Sequence, residues 1–501
     1  MLPTSENSWH ESASSPEPEY SLVDRQGLDL SDTIALDSES EGDYFDGFDP
    51  FDPSPLDEGF EGRRLKAAFL LTGTWGVMLM VHTLSIGFWL VCGVSGLMAL
   101  HMLRAFTSKP TLQVSEPLSL TAEKDPDVPM VTLLVSAKNE EFVIESLVRN
   151  LCNLNYPSDR YELWIVDDAS TDRTSDILLS LRQEFPQLNL FRRSAGASGG
   201  KSGALNQVFA KTRGEFLVVF DADARIQPDF LQKTLPLFIN HDRIGAIQLR
   251  KAIAQFEIPG SPDAKNFWVK GQHAEMLLDA FMQQQRIAVG GVGELRGNGQ
   301  FVRRSALVEC GGWNEETITD DLDLTFRLHL NRWDIHCLTV PAVYEEGVTT
   351  AKSLWHQRNR WGEGGHQRYL DYWRFILRNR MGTRKTVDLS VFWMMQYFMP
   401  MAAIPDFLLA LKYHHSLMLT PLSLLTFVFF VASTTRGIRR QKLANGGGYD
   451  NEWQGWGLTI IQALQGFVYM MHWFAIVGTV TLRMAIFPKR LKWVKTVHTG
   501  C

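Results

Sequence analysis

Cysteine is scarce in this chain of 501 residues, and no two of its five cysteines, Cys92, Cys152, Cys310, Cys337 and Cys501, form a CxxC pair. That spacing excludes a cysteine zinc site and a disulfide framework, and it fits a reducing compartment. The N-terminus lacks a basic stretch followed by an apolar one, so no secretory signal peptide is expected. Positive charge is almost missing from residues 1–60, where sixteen carboxylates face one cation, Arg25. Hydrophobic periodicity is missing there too. Such a segment cannot bury enough apolar surface to offset its ordering entropy, and it is expected to be disordered. Its run from Tyr44 to Phe51 alternates aromatics with acids and reads as a solvated tail, a docking motif being the sharper alternative. The whole chain carries a net charge of -7, so the body beyond the tail is basic. No long internal repeat is evident.

What is present is apolar length. A mean hydropathy of -0.10 hides it. Residues 67–103 contain no Asp, Glu, Lys or Arg. A crossing needs about 20 residues, so this run holds two, with a turn near residues 82–87. Arg63, Arg64 and Lys66 precede it and Arg104 and Lys109 follow it, which places both ends in the cytoplasm. Three more apolar runs come later. Residues 389–411 are interrupted by Pro400, Pro405 and Asp406; residues 417–433 are cleaner; residues 456–487 precede Lys489, Arg490, Lys492 and Lys495. Three crossings would leave that basic cluster outside, so either residues 389–411 lie in the interface or residues 456–487 form a hairpin. The expected order is an acidic tail (1–62), two membrane helices (63–104), a linker (105–128), a cytoplasmic domain (129–350), an amphipathic interfacial segment (351–386), membrane helices (387–488) and a basic tail (489–501).

Residues 129–350 have the texture of an α/β domain. Strand-like runs at 131–136, 161–166, 188–192 and 216–220 alternate with helical stretches, which argues a mainly parallel sheet with a ligand site beyond its carboxyl edge. The last of these strands ends in Asp221-Ala222-Asp223. Residues i and i+2 of an extended chain point the same way, so both carboxylates can reach one point. Two hard oxygen ligands suit Mg²⁺ or Mn²⁺ together with substrate phosphates. Asp167-Asp168 follows a second strand, and Asp172 is a plausible cap for the helix after it. Gly290–Gly293 and Gly297–Phe301 read as turns where backbone can approach a ligand. Thr319 reads as a helix cap with Asp320, Asp321 and Asp323 in the first turn. The stretch Trp355 to Trp361 and the arginines after it are basic and aromatic, suited to a membrane surface or to phosphate.

The four signals, Asp167-Asp168, Asp221-Ala222-Asp223, Thr319-Asp320-Asp321 and Gln357-Arg358-Asn359-Arg360-Trp361, stand in the order D, DxD, TDD, QxxRW. This pattern resembles the membrane-bound family 2 glycosyltransferases, the group of cellulose, chitin and hyaluronan synthases, over residues 129–372 and the flanking spans. The resemblance implies a glycosyltransferase A-type nucleotide-sugar domain, with a mixed, mainly parallel sheet, set between transmembrane helices. It implies that Asp168 reads the uracil, that Lys138, Glu140 and Lys201 line the nucleotide, and that Asp221 and Asp223 hold Mg²⁺ or Mn²⁺. Asp167 belongs to the donor site or caps the next helix. Asp321 is the general base, grouped with Asp320, and the helix dipole is expected to lower its pKa and keep it ionised. Gln357, Arg360 and Trp361 bind substrate, Arg360 by pairing with phosphate oxygens. Arg358 is expected to be a surface charge, and His356 and His366 bystanders.

Two enzymatic readings and a scaffold compete. Cleanly apolar C-terminal spans are few, which favours a lipid acceptor over a polymer-extruding channel. Within the family the chain is similar to the cyanobacterial members that make β-monoglucosyldiacylglycerol. That resemblance implies UDP-glucose as donor, 1,2-diacylglycerol as acceptor, inversion at the anomeric carbon, and an integral membrane protein with a cytoplasmic catalytic domain. No nucleic acid and no protein partner is evident.

Overall fold

In the computed structural model, residues 62–110, 128–256, 258, 260–444, 446 and 452–487 are described. The readings for residues 1–60, most of the linker and the final basic cluster fall outside them. The four cysteines among the described residues are free.

Eight strands form one mixed sheet in the order β3-β2-β1-β4-β7-β6-β8-β5. They are β1 (Val131–Ala137), β2 (Tyr161–Asp167), β3 (Leu188–Arg192), β4 (Phe216–Phe220), β5 (Arg225–Ile226), β6 (Ile244–Ile253), β7 (Gln300–Arg303) and β8 (Asp334–Glu345). Strands β1 to β4 are parallel, and so are β6 and β8; β7 runs antiparallel between β4 and β6. The near-continuous apolar sequences of β2 and β4 are buried throughout, as expected where helices cover both faces of a parallel sheet.

Register then decides what meets at the carboxyl edge. Ala137 pairs with Asp167, and Val135 with Phe220, so Lys138, Asp168 and Asp221 emerge side by side. The antiparallel pairing of Val219 with Gln300 brings the turn Gly297–Gly299 to the same edge. Gly299 is obligatory there: its φ is +73°, and a Cβ would lie 2.5 Å from Val343 Cγ2. The turn at Gly290–Gly293 approaches protein instead, since a Cβ on Gly293 would lie 2.2 Å from the Ile335 carbonyl oxygen.

Among the described residues, five helical stretches are long and apolar enough to cross a membrane: Arg63–Thr83, Gly87–Thr107, Thr383–Tyr413, Thr420–Ala444 and Trp453–Ile486. Pro400 and Pro405 do not break the third. A π-turn at Met394–Phe398 precedes Pro400, widening the helix where the proline ring would otherwise strike the carbonyl of residue 396. The fifth stretch bends at Met471, and both its ends sit at one end of the bundle. Near its start the Arg439 guanidinium lies 3.9 Å over the Trp456 ring. Near its end Arg64 Nε donates to the Ala485 carbonyl at 3.4 Å, and Arg483 pairs with Glu363. Arg64 opens the first membrane helix. Arg436 and Arg440, which flank Arg439, reach Phe106 O and, through Gln285, the residues that close the second.

The first membrane helix is tied to the catalytic region by Arg63. Its Nε and Nη2 donate to both oxygens of buried Asp371 at 2.8 and 2.7 Å, and its Nη1 donates to the Glu316 carbonyl at 2.9 Å, just ahead of Asp320. Leaving one partner of a buried pair behind costs about 3–5 kcal/mol. A chain starting at Gly62 is therefore expected to keep its specific activity and melting temperature in detergent–lipid mixtures, whereas Arg63→Ala lowers both. Loss of activity in the shortened chain with normal insertion would show that residues 1–61 take part.

Candidate active site

Three strand ends build the donor corner. Beyond β1 and β2 the chain turns sharply at Asn139 and Ala169, both with positive φ (55° and 54°). Non-glycine residues adopt this conformation only where their surroundings hold them in it. Here Asn139 N donates to Ser170 Oγ at 2.9 Å and Glu140 N to Thr174 Oγ1 at 2.8 Å. Asp168 is thereby presented between two cations: Lys138 Nζ at 3.3 Å and Arg193 Nη1 at 2.7 Å. Asp167 turns away. It is buried, its Oδ1 accepts from Ser170 N and its Oδ2 from Ser175 Oγ, so both oxygens serve the β2 turn and the helix after it. Asp167 thus has a structural role off the cavity lining, bracing the turn and the first helical turn, while Arg173 stands at the helix N-cap position. Asp172 lies one residue before the N-cap position, which Arg173 occupies, and its Oδ1 accepts from Thr174 N at the start of that helix.

At the end of β4, Asp221 and Asp223 both border the same cavity, and Ala222 between them is buried. Asp221 Oδ1 is held by Lys201 Nζ at 2.7 Å, and Asp223 Oδ2 accepts from Glu346 N at 2.9 Å. Burial disfavours the Asp221 charge, but Lys201, Lys251 and Arg360 outweigh it and hold the carboxyl down at about 2. The donor set is two carboxylates on one cavity lining, one of them already paired with the Lys201 ammonium. Among the described residues no third acid or histidine completes a metal-binding group. A divalent ion here would therefore need donor phosphate oxygens to fill its shell, the usual arrangement for Mg²⁺.

The helix Asp320–Leu330 starts opposite this pair. Thr319 stands at its N-cap position but makes no side-chain cap, and its Oγ1 is buried without a hydrogen bond. Asp320 Oδ2 accepts from Gln300 Nε2 at 3.4 Å, and Asp320 and Asp321 both line the cavity. Asp323 does not. It is buried between Arg327 Nε at 2.7 Å, Tyr372 OH at 2.8 Å and Asn314 Nδ2 at 3.1 Å, a structural network. The helix dipole does not decide the state of Asp321. Burial, with the Asp320 charge beside it, pushes its carboxyl up to about 6. A terminal dipole is worth less than the loss of water around a carboxylate.

Helix Ala351–Leu377 supplies Gln357, Arg360 and Trp361, all bordering the cavity. Trp361 packs under two cations, Lys251 at 4.9 Å and Arg358 at 3.9 Å from its ring centre. Arg358 is no surface charge. It is 1% exposed and donates through Nη2 to Glu275 Oε2 and to Tyr469 OH. Glu275 also receives Trp473 Nε1 at 3.0 Å. Sequence alone left this ion pair out because its two ends are 83 residues apart. His366 is buried against Thr481 and does not reach the cavity lining.

Apart from Asp167, the candidate site residues border one cavity of about 940 Å³. One wall carries Lys138, Glu140, Asp168, Lys201, Asp221, Asp223, Asp320 and Asp321. The other is apolar and comes from the membrane helices: Phe392, Met399, Phe429, Phe467, Met470 and Phe474.

The profile of the glycosyltransferase-like family 2 matches residues 128–364. A β-monoglucosyldiacylglycerol synthase of Nostoc sp. is 52% identical over 89% of this chain and 91% of its own length. The chain belongs to glycosyltransferase family 2. A β-monoglucosyldiacylglycerol synthase of Synechocystis sp. is likewise 52% identical over 88% of this chain and 89% of its own. Among solved structures, the mannosyltransferase PcManGT from Pyrobaculum calidifontis in complex with GDP-Man and Mn2+ is similar over 79% of this chain and 98% of its own, at 18% identity and a TM-score of 0.49.

In this family 2 glycosyltransferase, sequence reasoning passed over four residues of the cavity region. Arg193 orients Asp168; the signal for it was an Arg-Arg pair closing a strand. Lys251 pairs with Glu345 at 2.9 Å. Arg296 faces the Asp321 side of the cavity, held by Asp279 at 2.8 Å and by Glu294 at 2.6 Å. Nothing local distinguishes Lys251, Glu345 or Arg296 from ordinary charges.

Proposed function

We propose that the chain transfers glucose from UDP-glucose to the free hydroxyl of 1,2-diacylglycerol, with inversion, giving β-monoglucosyldiacylglycerol. The observation that carries this reading is the continuity of the cavity: ionisable groups suited to a nucleotide sugar at one end, Phe and Met side chains of membrane helices at the other. A passage for a growing glucan would call for a polar wall. The high identity to synthases whose names state this product supports the same choice.

In this reading Lys138, Glu140 and Asp168, the last fixed by Arg193, hold the uridine. Asp221 and Asp223 hold a divalent cation, Mg²⁺ or Mn²⁺, which when bound would neutralise the departing diphosphate. Lys201 and Arg360 add positive charge to the same corner. Asp321 accepts the proton of the acceptor hydroxyl as its oxygen attacks the anomeric carbon from the face opposite the diphosphate. Asp320 keeps that carboxyl basic by repulsion. Purified protein given labelled UDP-glucose, UDP-galactose and diacylglycerol is expected to form one organic-soluble product carrying a single glucose. A water-soluble glucan of many units would overturn the reading.

The membrane arrangement in this reading has four crossings, with the bent stretch Trp453–Ile486 lying along the face that carries the catalytic domain. This removes the conflict with the terminal basic cluster. A single cysteine at position 487 in a cysteine-free background should react with an impermeant maleimide from the catalytic face alone. Labelling from the opposite face would restore a fifth crossing.

A further inference from the structure

Two polar side chains on the lining of this cavity are not fully satisfied by the protein. The π-turn Met394–Phe398 places Gln396 on the cavity lining, inside the third of the stretches long and apolar enough to cross a membrane. Its Oε1 is buried without a hydrogen-bond partner. Arg358, also on the lining and 1% exposed, uses Nη2 on Glu275 and Tyr469, while its Nε and Nη1 make no hydrogen bond. A buried amide or guanidinium left unpaired is costly, and an unpaired amide facing a cavity within a membrane helix marks a ligand site. Rotating the Gln396 amide exchanges its oxygen for a donor nitrogen at the same place.

We propose that Gln396 and Arg358 read an ester carbonyl of the lipid acceptor, making the enzyme select ester-linked over ether-linked diradylglycerols. This rests on the lipid-acceptor reading above. An acceptor whose hydroxyl reaches Asp321 and whose chains occupy the Phe and Met wall must lay its glycerol esters between the two, along the same lining that carries Gln396 and Arg358. A carbonyl oxygen there accepts from the free N–H groups. An ether oxygen is a weaker acceptor set closer to the backbone, and it leaves them unpaired. A site built to hydrogen-bond a substrate group discriminates strongly against an analogue lacking it.

The test compares 1,2-diacylglycerol with the 1,2-dialkylglycerol of equal chain length as acceptors of labelled glucose, in wild type, Gln396→Leu and Gln396→Met. Both variants keep side-chain volume and suit a membrane helix, so either can carry the test if the other folds poorly. Wild type is expected to prefer the ester by about tenfold or more in kcat/KM, mostly through KM. The variants are expected to bring that ratio near one by losing ester turnover while ether turnover stays. Equal use of both acceptors by wild type overturns the proposal. So does a preference that survives unchanged in the variants. Glucosylation of neither lipid by folded, UDP-binding protein overturns the lipid-acceptor reading itself, a result distinct from the other two.

Discussion

Asp321→Asn is expected to bind UDP-glucose as wild type does and to transfer glucose to diacylglycerol about 10²–10⁴-fold more slowly, the usual loss when a general base is removed. The substitution keeps shape and hydrogen-bonding capacity at the start of helix Asp320–Leu330 but removes the proton acceptor. The pH dependence sharpens the test. Burial and the neighbouring Asp320 charge raise the Asp321 carboxyl to about 6. Only its ionised form can accept a proton, so wild-type kcat/KM should fall as pH drops through about 6 and level off above it. Had the helix dipole prevailed, that limb would lie near the ordinary carboxylate range, two units lower. The residual rate of Asp321→Asn should lack the limb altogether. Near-normal transfer by the variant, or a wild-type profile flat down to pH 4.5 in a folded protein, would remove Asp321 from the role of base.

Asp223→Ala should reduce transfer by on the order of 10³-fold or more, matching several kcal/mol of lost stabilisation of the leaving diphosphate. Wild-type protein stripped with EDTA should fall to the same level and recover with Mg²⁺ or Mn²⁺; the variant should not recover. The structural cost is small by comparison. The Asp223 side chain, which accepts from Glu346 N, borders a cavity and is not packed in the core, so the variant should insert and melt much as wild type does. Asp221→Ala would be a poorer probe, because it also strands Lys201. Full activity of Asp223→Ala in EDTA would show that the two carboxylates do not hold a metal needed for turnover.

Both predictions concern residues that the sequence already singled out, and the reason is local. Strand ends, the period of two along an extended chain, the acids in a helix's first turn and the length of apolar runs are written in neighbouring residues. They sufficed for the sheet-and-helix order of the domain, for Asp168, Asp221, Asp223 and Asp321 facing one site, and for the apolar stretches on either side. What stayed open or failed depended on a turn's exact geometry or on partners remote in sequence. Asp167 and Asp168 look alike as a pair, but the turn at Ala169 spends one on Ser170 and Ser175 and presents the other. Arg358 reads as a surface charge until Glu275, Tyr469 and Trp473 close around it.

The chain by itself determined which chemical groups are available and on which side of each strand they leave the sheet, because backbone geometry fixes that residue by residue. Only the tertiary structure decided the protonation of Asp321, the burial of Arg358 and the joining of the carboxylates to an apolar chamber. Each of these is set by which groups displace water from a side chain, and those groups come from elements as far apart as Glu275 and Trp473, 198 residues distant in sequence.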